Sequence, residues 1–316
     1  MKKILFAASE AVPFMKTGGL ADVTGSLPKY FDKKNYDVRV ILPKYVCMEE
    51  RWKGQLHFLC HFYVNLSWRK QYVGIFETTY DGITYYLVDN EFYFAGNAPY
   101  NNIYEDVEKF AFFSKAVLEA LPYLDFCPDI IHCHDWQTGL LPVFLRTLYG
   151  DEEYYTGIKT VFSIHNLKFQ GRWKLPAVMD ITGLPEQIFT SDKLESYGEA
   201  NYLKGGVVYA DAVTTVSPTY AQELKYAYFA HGMEGVMNLC DWKLHGVLNG
   251  IDMDRYNPAV DRCLVQNYSV EDLSGKAACK AALQREMGLR EDPNLPIVAV
   301  VSRLVSHKGL DLICET

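Results

Sequence analysis

The chain has 316 residues, of which 49% are hydrophobic and 22% charged, and its formal net charge is −8 at pH 7. The acidic balance argues against binding of nucleic acid through a general basic surface, and no apolar run approaches the roughly 20 residues that a membrane-spanning helix requires. The eight cysteines are scattered without a Cys-x-x-Cys pair, which favours a reduced, cytoplasmic protein over a disulfide-stabilised secreted one.

Short apolar runs alternate with longer helical patterns, which predicts an α/β fold with a parallel sheet covered by helices. The predicted strands are residues 3–8, 38–42, 73–80, 83–88, 129–133, 160–164, 212–216, 244–248 and 297–301. The predicted helices are residues 20–31, 105–121, 138–148, 201–209, 219–224 and 276–287. Asp81-Gly82 is typical of a tight hairpin turn, so we expect an antiparallel insertion or sheet edge inside the first domain.

The predicted elements divide the chain into three parts. Residues 1–255 are predicted to form an N-terminal Rossmann-like domain, residues 256–292 a connection with one helix, and residues 293–316 the start of a second lobe. One helix, one strand and the first turn of another helix cannot bury a core, so we expect either a fragment or a truncated C-terminal lobe. Strand 297–301 is then expected to be an exposed apolar edge.

The segment Lys16-Thr17-Gly18-Gly19-Leu20-Ala21-Asp22-Val23 lies between the first predicted strand and the first predicted helix. Two glycines let a ligand approach the backbone, the helix start offers unpaired N–H groups, and Lys16 adds a positive charge. The segment is therefore predicted to bind an anion, although a plain strand-to-helix turn has the same local composition.

Polar clusters directly follow several of the predicted strands. In an open parallel sheet, ligands bind beyond the carboxyl ends of the strands, so the repetition predicts a single polar cleft at that edge. The clusters are Lys16–Gly19, His134-Asp135-Trp136, His165-Asn166, Ser217-Pro218-Thr219, Asn249-Gly250 and Arg303–Gly309. In the last cluster, the guanidinium group of Arg303 and the ammonium group of Lys308 are suited to neutralising a diphosphate.

Other kinds of site are disfavoured by spacing. The chain lacks the G-x-G-x-x-G and G-x-x-x-x-G-K-[ST] motifs, which argues against a dinucleotide-dependent dehydrogenase and a P-loop enzyme. The histidine and cysteine groups at residues 57–61 and 132–134 do not have the spacing of a zinc site. We therefore predict neither a metal nor a cofactor.

Taken together and in order, the motifs resemble the starch-synthase-like glycosyltransferases that use ADP-glucose, the family of the bacterial glycogen synthases. The resemblance covers the chain from end to end. The segments that carry it are Lys16–Val23, His134-Asp135-Trp136-Gln137-Thr138-Gly139, Ser163-Ile164-His165-Asn166-Leu167 with Gln170-Gly171, Thr215-Val216-Ser217-Pro218, Leu248-Asn249-Gly250-Ile251-Asp252, and Ser302-Arg303-Leu304 with Lys308-Gly309-Leu310-Asp311. It implies a GT-B fold, in which two Rossmann-like lobes face each other across a cleft, with the first lobe complete and the second only begun.

The resemblance also implies a reaction. Glucose would be transferred from ADP-glucose, with retention and without a metal ion, to the 4-hydroxyl at the non-reducing end of an α-1,4-glucan. The implied catalytic residues are His165, next to the glucosyl unit, and Arg303 and Lys308, which would stabilise the leaving ADP. The implied substrate-binding residues are Lys16, Gly18, Gly19, Asp22, Asp135 and Asn249.

The sequence departs from the family pattern in one respect. The family's Glu-Pro-Cys-Gly-Leu motif does not occur before the chain stops at Thr316. We therefore expect the polypeptide as given to bind ADP-glucose weakly and to turn over negligibly. Two alternatives stay open: a related GT-B transferase that uses UDP-glucose, and a non-catalytic glucan-binding remnant.

Overall fold

The computed structural model describes residues 1–302, 304–305 and 308–315. The chain divides into two units, Met1–Gly250 and Ile251–Thr316. The strands are β1 Lys2–Ala7, β2 Tyr36–Pro43, β3 His57–Leu66, β4 Arg69–Tyr80, β5 Ile83–Asp89, β6 Ile130–His134, β7 Lys159–Ile164, β8 Arg172–Lys174, β9 Glu195–Ser196, β10 Glu199–Asn201, β11 Ala212–Thr215 and β12 Leu244–Gly246. The α-helices are α1 Gly19–Ser26, α2 Glu50–Lys53, α3 Glu91–Phe94, α4 Ile103–Ala120, α5 Leu140–Thr147, α6 Leu175–Thr182, α7 Tyr202–Tyr209, α8 Pro218–Glu223, α9 Ala227–Ala230, α10 Glu234–Leu239, α11 Ser274–Glu286 and α12 Leu310–Cys314.

A nine-stranded sheet organises the first unit, in the order β12-β11-β7-β6-β1-β2-β5-β4-β3. Its strands from β12 through β5 pair in parallel, whereas β4 pairs antiparallel with both β5 and β3. A second sheet of three short strands has the order β8-β10-β9. The α/β architecture predicted from the alternating pattern is therefore confirmed.

The hairpin between β4 and β5 turns as its sequence predicts. Asp81 and Gly82 have φ angles of 50° and 72°. Positive φ at both central residues is the geometry of a type I′ turn, which matches the right-handed twist of paired strands. The antiparallel edge β3-β4-β5 thus follows from local turn chemistry.

Helix α4 covers one face of the sheet and is buried along most of its length. It begins at Asn102, whose side chain accepts a hydrogen bond from the backbone N–H of Glu105 at 3.1 Å. Phe110, Phe112 and Phe113 are fully buried in the main apolar core. Asp106 and Lys109 form a buried ion pair, in which Nζ of Lys109 lies 2.6 Å from Oδ1 of Asp106. Each charge is therefore paired inside the core.

The structure refines the prediction at two places in the first unit. The predicted helix 20–31 is α1 followed by a 3₁₀ turn over Leu27–Tyr30, because Pro28 has no N–H group with which to continue the α-helical pattern. Residues 90–102, between predicted strand 83–88 and predicted helix 105–121, contain α3, whose N-cap Asn90 accepts a hydrogen bond from the N–H of Tyr93.

The strand predicted at residues 297–301 was wrong. These residues adopt no regular secondary structure, and Val298 and Val301 are 90% and 99% exposed. A strand needs a neighbour to pair its backbone groups, and in the described part of the chain no other segment pairs with these residues. Their apolar, β-branched composition is therefore not enough to form a strand.

The second unit contains α11 and α12. At its start, the side chain of Asp252 accepts hydrogen bonds from the backbone N–H groups of Asp254 and Arg255, at 3.1 and 3.2 Å. Among the described residues of this unit, the buried ones are Asp252, Gly275 and Gln284. No described helix of either unit is both long and apolar enough to cross a membrane.

Candidate active site

The predicted anion loop lies between β1 and α1 and carries a fixed cation. The Lys16 ammonium group is 2.7 Å from each carboxylate oxygen of Asp22, and the two side chains are 40% and 35% exposed. Asp22 belongs to the first turn of α1. The ion pair therefore holds the positive charge of Lys16 beside the start of this helix.

The two glycines of the loop leave space beside that charge. Gly18 is the N-cap of α1 and has no side chain to pair with the first amide groups of the helix. A Cβ atom built on Gly18 or Gly19 would meet no other atom within 4 Å. The glycines are therefore not needed to fit the protein's own packing, and the space at their Cβ positions is open.

Two residues that sequence reasoning missed lie against this loop. Glu10 is 3% exposed, and its carboxylate accepts hydrogen bonds from the backbone N–H and hydroxyl of Thr17 and from the hydroxyl of Tyr100. Glu10 follows β1 just as the other polar clusters follow their strands, and that position was the available signal. Tyr100 is 90 residues away in sequence, and no local pattern links it to Glu10.

Asp135 and His165 are brought together at the ends of two neighbouring strands. Asp135 follows β6, His165 follows β7, and the Asp135 carboxylate accepts the backbone N–H groups of His165 and Asn166 at 2.8 and 3.4 Å. Asp135 has φ 56°, an uncommon conformation for a residue with a side chain. Burial raises the pKa of Asp135, and the hydrogen bonds from the two N–H groups act against that shift.

A row of histidines connects β6 to His165. His132 and His134 project from the same face of β6 with ring centroids 4.2 Å apart, and His134 Nδ1 lies 3.0 Å from His165 Nε2. His132 Nε2 lies 2.6 Å from the hydroxyl of Ser163. Burial lowers the pKa of His132 to about 3 and that of His134 well below its ordinary value, so both rings are neutral at pH 7.

The surroundings of His134 favour one tautomer. Its Nε2 is buried and has no hydrogen-bond partner in the part of the chain that the structure describes. An unpaired lone pair costs less than an unpaired N–H group at such a position, so the proton is favoured on Nδ1. Nδ1 then donates to His165 Nε2.

Two further motifs have a well-defined local geometry. Ser217 caps α8, since its hydroxyl accepts the N–H of Tyr220 at 2.9 Å and Pro218 occupies the first position of the helix. Gly171 has φ 63°, and a Cβ there would lie 2.2 Å from the indole ring of Trp136. The Gln170-Gly171 turn thus packs directly on the residue after Asp135.

The remaining predicted site residues are Asn249, Arg303 and Lys308. Asn249 is exposed beyond the end of β12 in the first unit. Lys308 is an exposed residue of the second unit, and its backbone N–H donates to the carbonyl of Val305 at 3.0 Å. Arg303 lies outside the described residues. The structure therefore assembles Lys16, Gly18, Gly19 and Asp22 at one point of the sheet edge, and Asp135 with His165 at another.

Comparisons with known proteins give a consistent result. The family model described as the starch synthase catalytic domain matches residues 3–239. Glycogen synthases from Lachnospira eligens and Lachnoclostridium phytofermentans are 57% and 56% identical to the chain, over 99% of its length and 66% of theirs. The catalytic domain of starch synthase IV from Arabidopsis thaliana, bound to ADP and acarbose, superimposes with a TM-score of 0.91 at 32% identity, over 99% of this chain and 65% of that one. The chain thus spans slightly less than two thirds of the length of these proteins.

Proposed function

Since the chain belongs to the family of the starch synthase catalytic domain, we propose that it provides the N-terminal lobe of a glycogen synthase. The proposed reaction transfers glucose from ADP-glucose to the non-reducing 4-hydroxyl of an α-1,4-glucan, with retention. The observation that carries the proposal is the Lys16–Asp22 ion pair at the start of α1, beside Gly18 and Gly19, whose Cβ positions face open space. The starch synthase neighbour that was solved with ADP supports the same class of donor.

In the proposed reaction, the anion loop binds the diphosphate of the donor. Lys16 and the amides at the start of α1 stabilise the negative charge that grows on the departing ADP, and Asp22 keeps the ammonium group in place. Arg303 and Lys308 are proposed to add positive charge from the second lobe. His165 is proposed to contact the glucosyl unit, with its backbone fixed by Asp135.

Substrates, location and domain division complete the proposal. ADP-glucose and α-1,4-glucan are the proposed partners, with Asn249 helping to position one of them.

All eight cysteines lie among the described residues and are free thiols, which supports a reduced, cytoplasmic location. The division into residues 1–255, 256–292 and 293–316 stays a prediction, and the proposed GT-B cleft would lie between the first and last of these parts.

A chimaera tests the donor and the reaction. The chain is joined to the C-terminal third of the Lachnospira eligens glycogen synthase, which is 57% identical over the shared region. We expect it to incorporate labelled glucose into glycogen from ADP-glucose much faster than from UDP-glucose. A preference for UDP-glucose would contradict the proposed donor. Glucan binding without transfer, under conditions where the intact relative is active, would favour the non-catalytic alternative.

Lys16→Ala tests the anion loop in the same chimaera. We expect kcat/KM for ADP-glucose to fall by about 10²-fold, because one charged group that stabilises the leaving diphosphate is lost. The folding stability should change by less than about 0.5 kcal/mol, since the side chain is partly exposed. Lys2→Ala is the matched control, because Lys2 is an exposed lysine at the opposite end of β1. Equal activities of the two variants would remove the loop from the site.

A further inference from the structure

Glu10 is a buried carboxylate whose hydrogen bonds join two separate loops. One of its oxygens accepts the backbone N–H of Thr17, and the other accepts the hydroxyls of Thr17 and Tyr100 at 2.8 and 2.6 Å. The carbonyl oxygen of Glu10 also accepts the hydroxyl of Thr24, in α1, at 2.5 Å. Glu10 therefore contacts the anion loop, the helix that follows it and the loop that carries Tyr100.

The Tyr100 side of this network is itself fixed by buried charges. The ammonium group of Lys109 donates to the carbonyl of Pro99 at 2.9 Å and to Asp106 at 2.6 Å. The Asp106 carboxylate in turn accepts the backbone N–H of Asn101 at 3.2 Å. The residues on both sides of Tyr100 are thus held by helix α4, which packs in the core.

The hydroxyl of Tyr100 is committed to this network. It lies 2.8 Å from the hydroxyl of Ser9 as well as 2.6 Å from Glu10. Burial and the neighbouring Glu10 raise the pKa of Tyr100 well above its ordinary value, so the phenol keeps the proton that it donates to Glu10. Ser9 can then donate its own hydroxyl proton to the phenol oxygen.

We propose that Glu10 is the positioning residue that holds the loop Lys16–Gly19 in its anion-binding conformation and couples that loop to Tyr100. The inference rests on the proposed function of the loop. A carboxylate this close to an anion site would repel the ligand if its charge were unpaired, and its three hydrogen-bond donors offset that charge. Because Glu10 takes up the N–H of Thr17, the amides of Gly18 and Gly19 are left to face the ligand.

Glu10→Gln tests the proposal through two measurements on the purified chain. Hydrogen exchange of the amides of residues 17–20 should become at least about tenfold faster, while the strands of the sheet keep their protection. The affinity for ADP, measured by calorimetry, should fall at least about tenfold. Glu50→Gln is the matched control, because the Glu50 side chain is 86% exposed and its carboxylate pairs with Lys53. Unchanged exchange in the loop of Glu10→Gln would overturn the proposal.

Two milder variants keep the test decisive if Glu10→Gln does not fold. Tyr100→Phe and Thr17→Ala each remove one hydroxyl that donates to Glu10, and neither introduces a new polar group. Each should speed exchange of the loop amides and weaken ADP binding by about threefold to tenfold. If the loop amides of both variants exchange as in the unmodified chain, Glu10 does not position the loop.

The outcomes also separate this proposal from the proposed function. If the chimaera does not bind ADP, the loop loses its assigned ligand, while the exchange data still decide whether Glu10 orders it. In the chimaera, Glu10→Gln should raise KM for ADP-glucose more than it lowers kcat. The reason is that the loop of this variant would have to become ordered when the donor binds. A loss confined to kcat would contradict a positioning role at the donor site.

Discussion

At the residue scale, the neutral histidines of β6 have a consequence for stability. Burial lowers the pKa of His132 to about 3 and that of His134 well below its ordinary value, whereas both bind a proton near pH 6.5 once the chain unfolds. Between about pH 6.5 and pH 3, the unfolded state therefore binds more protons than the folded state. Their stabilising contribution is present above pH 6.5 and is lost as the pH falls through this range.

We expect this dependence in urea unfolding measured from pH 7 to pH 4. Each histidine that charges only on unfolding lowers the free energy of unfolding by up to about 1.4 kcal/mol per pH unit. In His132→Gln, the new amide can still pair with Ser163. The free energy of unfolding of this variant should depend less steeply on pH, by the equivalent of about one bound proton. Parallel slopes in the variant and the unmodified chain would show that His132 does not titrate on unfolding.

The site residues differ in how far sequence could predict them. Lys16, Gly18 and Gly19 were predicted because the strand, the glycines and the helix start are contiguous. Local sequence did not place Tyr100 at the site, because its bond to Glu10 spans 90 residues and depends on how α4 packs. The buried Nε2 of His134 is likewise a tertiary feature, since ring exposure cannot be inferred from the alternation of a strand.

At the element scale, helix α1 and its N-cap carry glycines of two kinds. Beside Gly18 a Cβ would have open space, whereas at Gly25, near the end of the helix, it would lie 2.3 Å from the carbonyl oxygen of Val12. The first glycine leaves room for a ligand and the second leaves room for the protein's own backbone. The two positions therefore allow function and folding to be separated within one helix.

We expect Gly18→Ala to leave the thermal stability nearly unchanged and to weaken ADP binding by about tenfold or more, because the new methyl group occupies the space beside the amides. Gly25→Ala should instead lower the free energy of unfolding by about 1–3 kcal/mol through overpacking. Thermal melts and calorimetric titration with ADP measure both effects. A stable Gly18→Ala variant that binds ADP normally would contradict an anion site at this helix start.

Elements with a complete local signal were predicted best. Asp81-Gly82 specifies its turn through positive φ, and Ser217 with Pro218 specifies the start of α8. The apolar run at 297–301 carried the strand composition, but a strand also requires a paired neighbour, which a local pattern does not supply.

At the scale of the whole molecule, the two units differ in how much they bury. The first unit contains the apolar core around α4, α5 and α7, whereas the second buries three described residues, Asp252, Gly275 and Gln284. Segments with few buried contacts open at low free-energy cost. The second unit should therefore be cleaved before the first.

Limited trypsin digestion followed by mass spectrometry checks this difference. We expect early cleavage in the second unit, at exposed basic residues such as Arg290, which is 80% exposed at its side chain. A resistant fragment that contains residues 1–250 should then accumulate. Cleavage of both units at the same rate would show that the second unit is protected to the same degree as the first.

The position of β1 in the sheet bears on how the chain emerges from the ribosome. Among the nine strands of the main sheet, β1 is synthesised first and ends up between β2 and β6, so the sheet grows outward from it in both directions. One half, through β5, is complete by Asp89, but the other edge of β1 has no partner until β6 appears at Ile130. During synthesis of the intervening 40 or so residues, that edge would be open to pairing with other nascent chains, and α4 is made within this interval. The strand that carries the anion loop at its end is thus also the interior strand of this sheet that waits longest for its second neighbour.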